Sequence, residues 1–328
     1  MRVAIGGAGI SGAYAYRLLR ERGIKLDLFD IEKSNRCKLR PCAWGFAPSS
    51  EFKRLVSKFL EPGDYILEHF NNIVLNGLTV RADMLTVDKP RLVRDLIGEE
   101  KLRYGPLPSA SYDRVIDATG IKRAFLPPTD GSELLVECFQ CRVRSERRMP
   151  LSFTSSRFGY EWCFPIGGDE YHLGYGSLEA QGKGSRPFPK DGGGISTICT
   201  CSSNIRLTSP HHSTPLVSEG KFVGVGESIG AVGPLAGDGN NYAMQCGEML
   251  LAFWDDLDKY QAKVLERYEW MRKERRALEK LWAGKGLSLT DARTFIRHSK
   301  MVGMEISVTQ AIDLFRRAFE RQPSKPLD

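Results

Sequence analysis

Three glycines and one carboxylate carry the clearest chemical pattern in this chain of 328 residues. Gly7, Gly9 and Gly12 stand as GxGxxG, and Asp30 follows 23 residues after Gly7. Glycines in that spacing let a backbone turn come close to a pyrophosphate, whose charge is met by free N–H groups at a helix start. A carboxylate at the end of the next strand accepts hydrogen bonds from ribose hydroxyls.

The elements that must position these groups are legible around them. RVAI reads as a short buried strand, GGAGISG as the turn, and AYAYRLLRERG as an amphipathic helix ending at Gly23. KLDLFD then forms a second strand closing on Asp30 and Ile31. The pattern alone is weak, but strand, turn, helix and acid together predict a dinucleotide-binding βαβ unit, with Gly7, Gly9, Ile10, Ser11 and Gly12 at the phosphates. SYDRVIDATG (111–120) predicts a further strand running into an Ala118-Thr119-Gly120 turn at the same nucleotide. Residues 220–253 read as strand, Gly-rich loop and helix. Pro234, Gly237 and Gly239 shape that loop, Asn240 and Asn241 open the helix, and Ala243 and Gly247 permit close packing. A strand-loop-helix returning to the first turn fits an extended FAD, with the helix N-terminus aimed at the flavin.

A second group of residues is aromatic. GYEWCFPIGGDEYHLGYGS (159–177) predicts a hairpin whose first strand carries Tyr160, Trp162 and Phe164 on one face before Pro165. Such a face serves equally as core or as the wall of a site. The stretches 65–88 and 133–144 are also strand-like and break the βαβ rhythm, which predicts antiparallel strands inserted into the nucleotide domain. Residues 182–204, rich in Gly, Ser and Pro, read as an irregular excursion. From Asp255 onward the pattern is helical.

Other reactive side chains give less. Cys138 and Cys141 form a CxxC, and Cys199 and Cys201 a CxC, among eight cysteines. Thiols on strands or loops explain these spacings more simply than zinc. His172, His211, His212 and His298 lack metal-ligand spacing, and no Ser-His-Asp set can be defended, so no metal is expected.

Composition sets the class. With 41% hydrophobic and 27% charged residues the chain reads as a soluble globular protein. The absence of a long apolar run and the immediate strand at MRVAIGG make the cytoplasm the expected compartment. The net charge of +7 is modest and partly concentrated in RYEWMRKERRALEK (267–280). That stretch suits a solvated helix face or contact with an anionic membrane surface. No aromatic-basic interleaving accompanies it, so nucleic acid is not an expected partner.

Several of these motifs together resemble the FAD-dependent geranylgeranyl reductases, within the superfamily related to aromatic hydroxylases. GAGISG and Asp30 resemble the family's first flavin motif. KLRPCAWG (38–45) is similar to its Lys-x-Cys-Gly stretch, which implies that Arg40, Cys42 and Ala43 lie beside the isoalloxazine. KPRLVRDLI (89–97) is similar to a segment whose arginine contacts flavin, which implies that role for Arg91. YEWCFP is similar to a motif of the prenyl-chain cavity, and VGESIGAVGPLAGDGNNYAM to the second flavin motif. Three departures stand out: Glu227 replaces an Asp, Ala43 a Gly, and Arg157 a Pro.

The resemblance implies an α/β protein: a Rossmann-type FAD-binding domain with an inserted antiparallel β-sheet substrate domain and a helical C-terminal tail. Residues 1–62, 89–125 and 218–254 would form the FAD-binding part, 63–88 and 126–217 the substrate sheet, and 255–328 the tail. The implied reaction is hydride transfer from reduced flavin to double bonds of a prenyl lipid. Tyr160, Trp162, Phe164 and Pro165 would bound the chain, Trp162 foremost, and Cys42 would influence catalysis. No second GxGxxG unit is present, so NAD(P)H in transient contact or a ferredoxin-like iron–sulfur protein would supply electrons. The alternatives are a flavin monooxygenase or halogenase on the same scaffold, and a prenyl carrier without redox chemistry.

Overall fold

The computed structural model describes residues 1–32, 42–99, 102–129, 133–156, 159–177, 194–283, 285 and 288–320. Arg40 and Arg157 lie outside the described residues, as does most of the Gly- and Pro-rich stretch before Gly194.

Two sheets organise the chain. The first has six strands in the order Val217–Ser218, Phe222–Gly224, Arg114–Asp117, Val3–Gly6, Leu26–Asp30, Arg103–Tyr104. The pairings of its inner strands are parallel, with Ile5 between Leu28 and Ile116, so both faces need cover. Helices Ile10–Glu21, Lys89–Ile97 and Asn240–Ala252 contribute that cover, and buried Ile5, Leu19, Leu92, Leu96 and Leu250 pack in a common core. The small residue expected between helices sits where it is needed. A Cβ on Gly247 would lie 3.4 Å from Leu18 and Tyr14, at contact distance, so the two helices pack closely there.

The second sheet has nine strands and draws on both strand-rich stretches. The hairpin of Ile66–Leu75 and Leu78–Val87 joins a run of antiparallel strands through one parallel pairing, Val74 beside Ser152. Strand Gly159–Pro165 lies between Ser152–Ser156 and Glu170–Ser177. The expected irregular excursion is corrected in its second half: Ile195–Arg206 is a strand of 12 residues, paired along Leu135–Ser145. Its alternating Thr, Ile and Cys supply β-propensity that the preceding Gly and Pro residues obscured.

The tail forms helices Leu257–Arg267, Glu269–Trp282, Leu289–Met301 and Val308–Glu320. It is not a detached appendage. Strand Met304–Glu305 pairs with Ala82 and Arg81 of the nine-stranded sheet. No described helix is long and apolar enough to cross a membrane.

Candidate active site

A cavity of about 1080 Å³ opens between the two sheets, slightly above the ~300–1,000 Å³ range usual for small-ligand sites. Its lining begins at the first turn, where Gly7, Gly9, Ile10 and Ser11 face it together with Asp30 and the exposed Ile31. Gly7 has φ +100, and a Cβ on it would collide with the Ala118 carbonyl. Gly12 lies behind the turn rather than on the cavity, because a Cβ there would strike the Gly7 carbonyl. Gly9 has open space beside it and caps the helix with no side-chain hydrogen bond. The buried Ser11 hydroxyl is also without a hydrogen-bond partner among the described residues. An uncapped helix start, an unpaired hydroxyl and open space are what an incoming phosphate requires.

The second turn is held from below. Asp117 is fully buried, and its Oδ1 accepts hydrogen bonds from Thr119 N at 3.0 Å and Thr119 Oγ1 at 2.6 Å. Its Oδ2 accepts from Phe125 N at 2.8 Å. These bonds present Ala118, Thr119 and Gly120 to the cavity.

The Gly-rich loop forms the third wall with Gly237, Gly239 and Asn240. The helix it leads into, Asn240–Ala252, again has a glycine N-cap with no side-chain hydrogen bond. Two uncapped helix starts therefore converge on one cavity, each with the partial positive charge of a helix dipole. Pro234 is buried off the lining, and Asn241 turns away, donating to the Ala47 carbonyl at 3.0 Å. Glu227 lines the cavity, and its Oε1 accepts from Arg206 N at 3.0 Å, which fixes the longer arm.

Cys42 and Ala43 also reach the cavity, and here the geometry adds a residue that spacing did not reveal. Lys89 Nζ donates to Cys42 Sγ at 3.0 Å and to Asn240 Oδ1 at 2.8 Å. Burial alone would raise the Cys42 thiol. The Lys89 ammonium, with hydrogen bonds from Lys89, Trp44 and Asn240, outweighs it and holds the thiol below its ordinary value. Trp44 completes this corner in a left-handed conformation, φ 61, which costs a bulky residue about 1–3 kcal/mol. Strain of that size at a cavity wall is a mark of functional constraint.

The expectation for Arg91 is corrected. Helix Lys89–Ile97 presents Lys89, Pro90 and Val93 to the cavity, whereas Arg91 lies on another face. There it donates to the Asp64 carbonyl at 2.9 Å and covers the Tyr65 ring. Lys89, two residues earlier, is the cation that this helix presents to the cavity.

The aromatic hairpin forms the far wall. Tyr160, Trp162 and Phe164 all line the cavity, while Pro165 pairs with Tyr171 outside it. Directly across from Trp162 and Tyr160 stand Gly174 and Gly176, and a Cβ at either would run into the facing ring. Gly45 makes the same room for Phe164. The rings thus lie over the bare backbone of glycines. Trp162 is 8% exposed, and its buried Nε1 has no hydrogen-bond partner among the described residues. Beyond the hairpin, Ile73, Met84 and Phe153 of the sheet and Phe295, Met304 and Leu314 of the tail extend an apolar surface.

Among the described residues the cysteine pairs are not arranged as a ligand set. Cys138 and Cys141 lie three residues apart on one strand and face opposite ways. Cys138 Sγ meets Tyr160 Oη at 3.7 Å, and Cys141 Sγ meets the Leu173 carbonyl. Among the described residues no group of three or more His, Cys, Asp or Glu is arranged to hold a metal ion.

Comparison with known proteins supports the fold. No family model matches the chain. An uncharacterized protein of Methanocaldococcus jannaschii is 24% identical over 339 positions, covering 85% of this chain and 91% of the relative. A geranylgeranyl bacteriochlorophyll reductase-like protein from Thermoplasma acidophilum superposes with TM-score 0.69 at 16% identity, over 97% of this chain and 95% of that one. A flavin-dependent halogenase from Brevundimonas sp. BAL3 gives 0.66 at 12% identity, over 97% and 90%. A probable FAD-dependent monooxygenase from Pseudomonas aeruginosa gives 0.56 at 17%, over 87% and 98%. The chain shares the Rossmann-type fold of these flavoproteins, with its large second sheet and C-terminal helices. At the level of fold, the resemblance drawn from the motifs holds.

Proposed function

We propose that this protein is an FAD-dependent oxidoreductase that saturates double bonds of a prenyl lipid. The observation that carries this reading is the continuity of a single cavity from the glycine turn to the apolar wall. A polar nucleotide site and a place for a long hydrocarbon chain thereby share one space.

The residues present fit the cofactor. Gly7 and Gly9 admit the pyrophosphate, the helix starting at Ile10 and the Ser11 hydroxyl donate to it, and Asp30 accepts from ribose hydroxyls. The Ala118-Thr119-Gly120 turn and the loop at Gly237 and Gly239 enclose the remainder. When bound, reduced FAD supplies the hydride that an unpolarised alkene requires. Trp162, Tyr160 and Phe164 hold the chain and exclude water from the reacting carbons. Cys42, kept toward its thiolate by Lys89, sets the charge at the inner wall. A membrane surface as source of the lipid, and NAD(P)H or an iron–sulfur protein as source of electrons, belong to the same proposal.

A monooxygenase or halogenase reading draws on the same fold, since the neighbours named above include both. The long apolar wall favours a hydrocarbon chain. Mass spectrometry of small molecules extracted from the purified protein tests the proposal. FAD together with a prenyl lipid is the expected result, and a protein devoid of flavin would refute it.

A further inference from the structure

His298 has no part in the reading above, yet it lies at the cavity in an unusual setting. It comes from tail helix Leu289–Met301, is 3% exposed, and contributes to the lining. Its Nδ1 lies 2.5 Å from Glu274 Oε1. Glu274 is fully buried in helix Glu269–Trp282, and its Oε2 accepts from Leu235 N at 3.2 Å. On the other side, His298 Nε2 lies 3.6 Å from Asp238 Oδ1, and neither of these buried atoms has a partner within hydrogen-bond distance among the described residues. Trp270 covers the imidazole, with ring centroids 4.2 Å apart.

Carboxylate, imidazole and carboxylate thus form a graded series toward the cavity. Side-chain exposure rises from 0% at Glu274 to 3% at His298 and 26% at Asp238. Asp238 sits in the Gly-rich loop between Gly237 and Gly239 and lines the cavity. Glu274 and Asp238 are the charged groups facing His298, while Tyr160 and Tyr242 stand near Asp238. Burial would strip the proton from His298, but the two carboxylates prevail and push it up to about 10. As pure support this is a poor device, because buried ions lose hydration that apolar residues of similar size never had. A carboxylate orienting one face of an imidazole, with its other face toward the reacting space, is instead the arrangement of proton-transfer groups.

We propose that Glu274, His298 and Asp238 form a proton relay, in which Asp238 passes the proton to the molecule in the cavity and His298 recharges it. The inference rests on the alkene reduction proposed above. In that reaction the π bond breaks and two C–H bonds form. One takes the hydride, with its electron pair, from reduced FAD; the other takes the proton from Asp238. The alkene is reduced by two electrons and the cofactor oxidised by two. The proton that Asp238 delivers comes from His298, the protonated member of the set at rest, and solvent at the exposed edge of Asp238 then returns a proton to His298.

The test uses FAD-loaded protein and the variants His298→Gln and Asp238→Asn. Anaerobic reduction of the bound FAD between pH 8 and 10, with a pH indicator, counts protons taken up per two electrons without any substrate. A relay coupled to the cavity takes up an extra fraction of a proton, which both variants lose. Single-turnover reoxidation by a geranylgeranyl lipid reads the transfer itself. We expect it to slow about 10²-fold in both variants, with a flattened pH profile and equal FAD content. Unchanged uptake, rate and pH profile would overturn the relay. If no isoprenoid reoxidises the wild-type protein, prenyl reduction fails and proton uptake decides alone: loss in the variants upholds the relay, and a wild-type value overturns it. Should His298→Gln not bind FAD, Asp238→Asn, at a partly exposed position, carries the same comparison.

Discussion

Lys89 Nζ and Cys42 Sγ lie 3.0 Å apart at the inner wall of the cavity, joined through Asn240 to the start of the helix that follows the Gly-rich loop. This pairing sets Cys42 apart from the other thiols. Burial pushes Cys138 and Cys163 up to about 12, and Cys201 and Cys246 up to about 11. Cys42 alone among these five is held below its ordinary value. Iodoacetamide at pH 7 should therefore alkylate Cys42 first among them, because thiolate is the reactive form. Lys89→Ala should slow that labelling about tenfold, because the ammonium that favours the thiolate is gone. Peptide mass spectrometry after timed labelling checks both. Equal labelling with and without Lys89 would refute the pairing.

Asp30 and Gly12 give a prediction about cofactor binding. Asp30→Ala removes the acceptor for ribose hydroxyls and should weaken FAD binding about 10- to 100-fold, or ~1.5–3 kcal/mol for bonds to a charged group. Gly12→Ala acts differently, since its methyl would collide with the Gly7 carbonyl and open the turn. Fluorescence titration of the apoprotein should show weaker but measurable binding in the first variant and none in the second. Wild-type affinity in Gly12→Ala would contradict the turn geometry.

Gly174 tests the aromatic wall. A methyl at this position meets the Trp162 ring and the Phe139 carbonyl at once. Gly174→Ala should cost roughly 1–3 kcal/mol of stability through overpacking. It should also shift Trp162 fluorescence. Denaturant unfolding and emission spectra read the two effects, and a variant as stable as wild type would show that the ring does not depend on the bare backbone.

The legibility of the molecule followed the range of its interactions. The glycine turn, the helix after it and Asp30 are close in sequence, and their spacing within a strand-turn-helix-strand pattern implies their chemistry. The aromatic face of 160–164 was visible through its alternation, and Trp162 does line the cavity. Gly174 and Gly176 were plain in the sequence, yet their purpose required the register that sets them against the rings. Lys89 meets Cys42 from 47 positions away, and no periodicity records such a contact. The resemblance points to Arg91, but the helix turn presents Lys89 to the cavity instead. His298 looked idle because Asp238 and Glu274 approach it from different elements.

Two buried histidines predict opposite limbs of the stability–pH curve. His172 is fully buried, and burial, with Arg142 nearby, lowers it to about 3. The unfolded chain protonates this group near pH 6.5 while the native state does not, so stability falls with pH below 6.5 and the loss saturates near 3. At pH 5 the loss from His172 amounts to about 2 kcal/mol. His298 is raised instead, so its contribution is complete below pH 6.5 and is lost as pH rises through about 10. His172→Gln should flatten the acid limb and His298→Gln the alkaline limb. Urea unfolding from pH 5 to 10 reads both, and parallel curves for the two variants would refute the assignment.

The central claim is that reduced cofactor and prenyl chain meet in one cavity. Its most direct test is anaerobic: the FAD-loaded protein is reduced chemically, freed of reductant, and mixed with a geranylgeranyl lipid while the flavin spectrum is followed. Reoxidation in step with substrate, and a product heavier by two hydrogens for each double bond reduced, are the expected results. Persistence of the reduced spectrum until oxygen is admitted, with the lipid recovered unchanged, would contradict the claim.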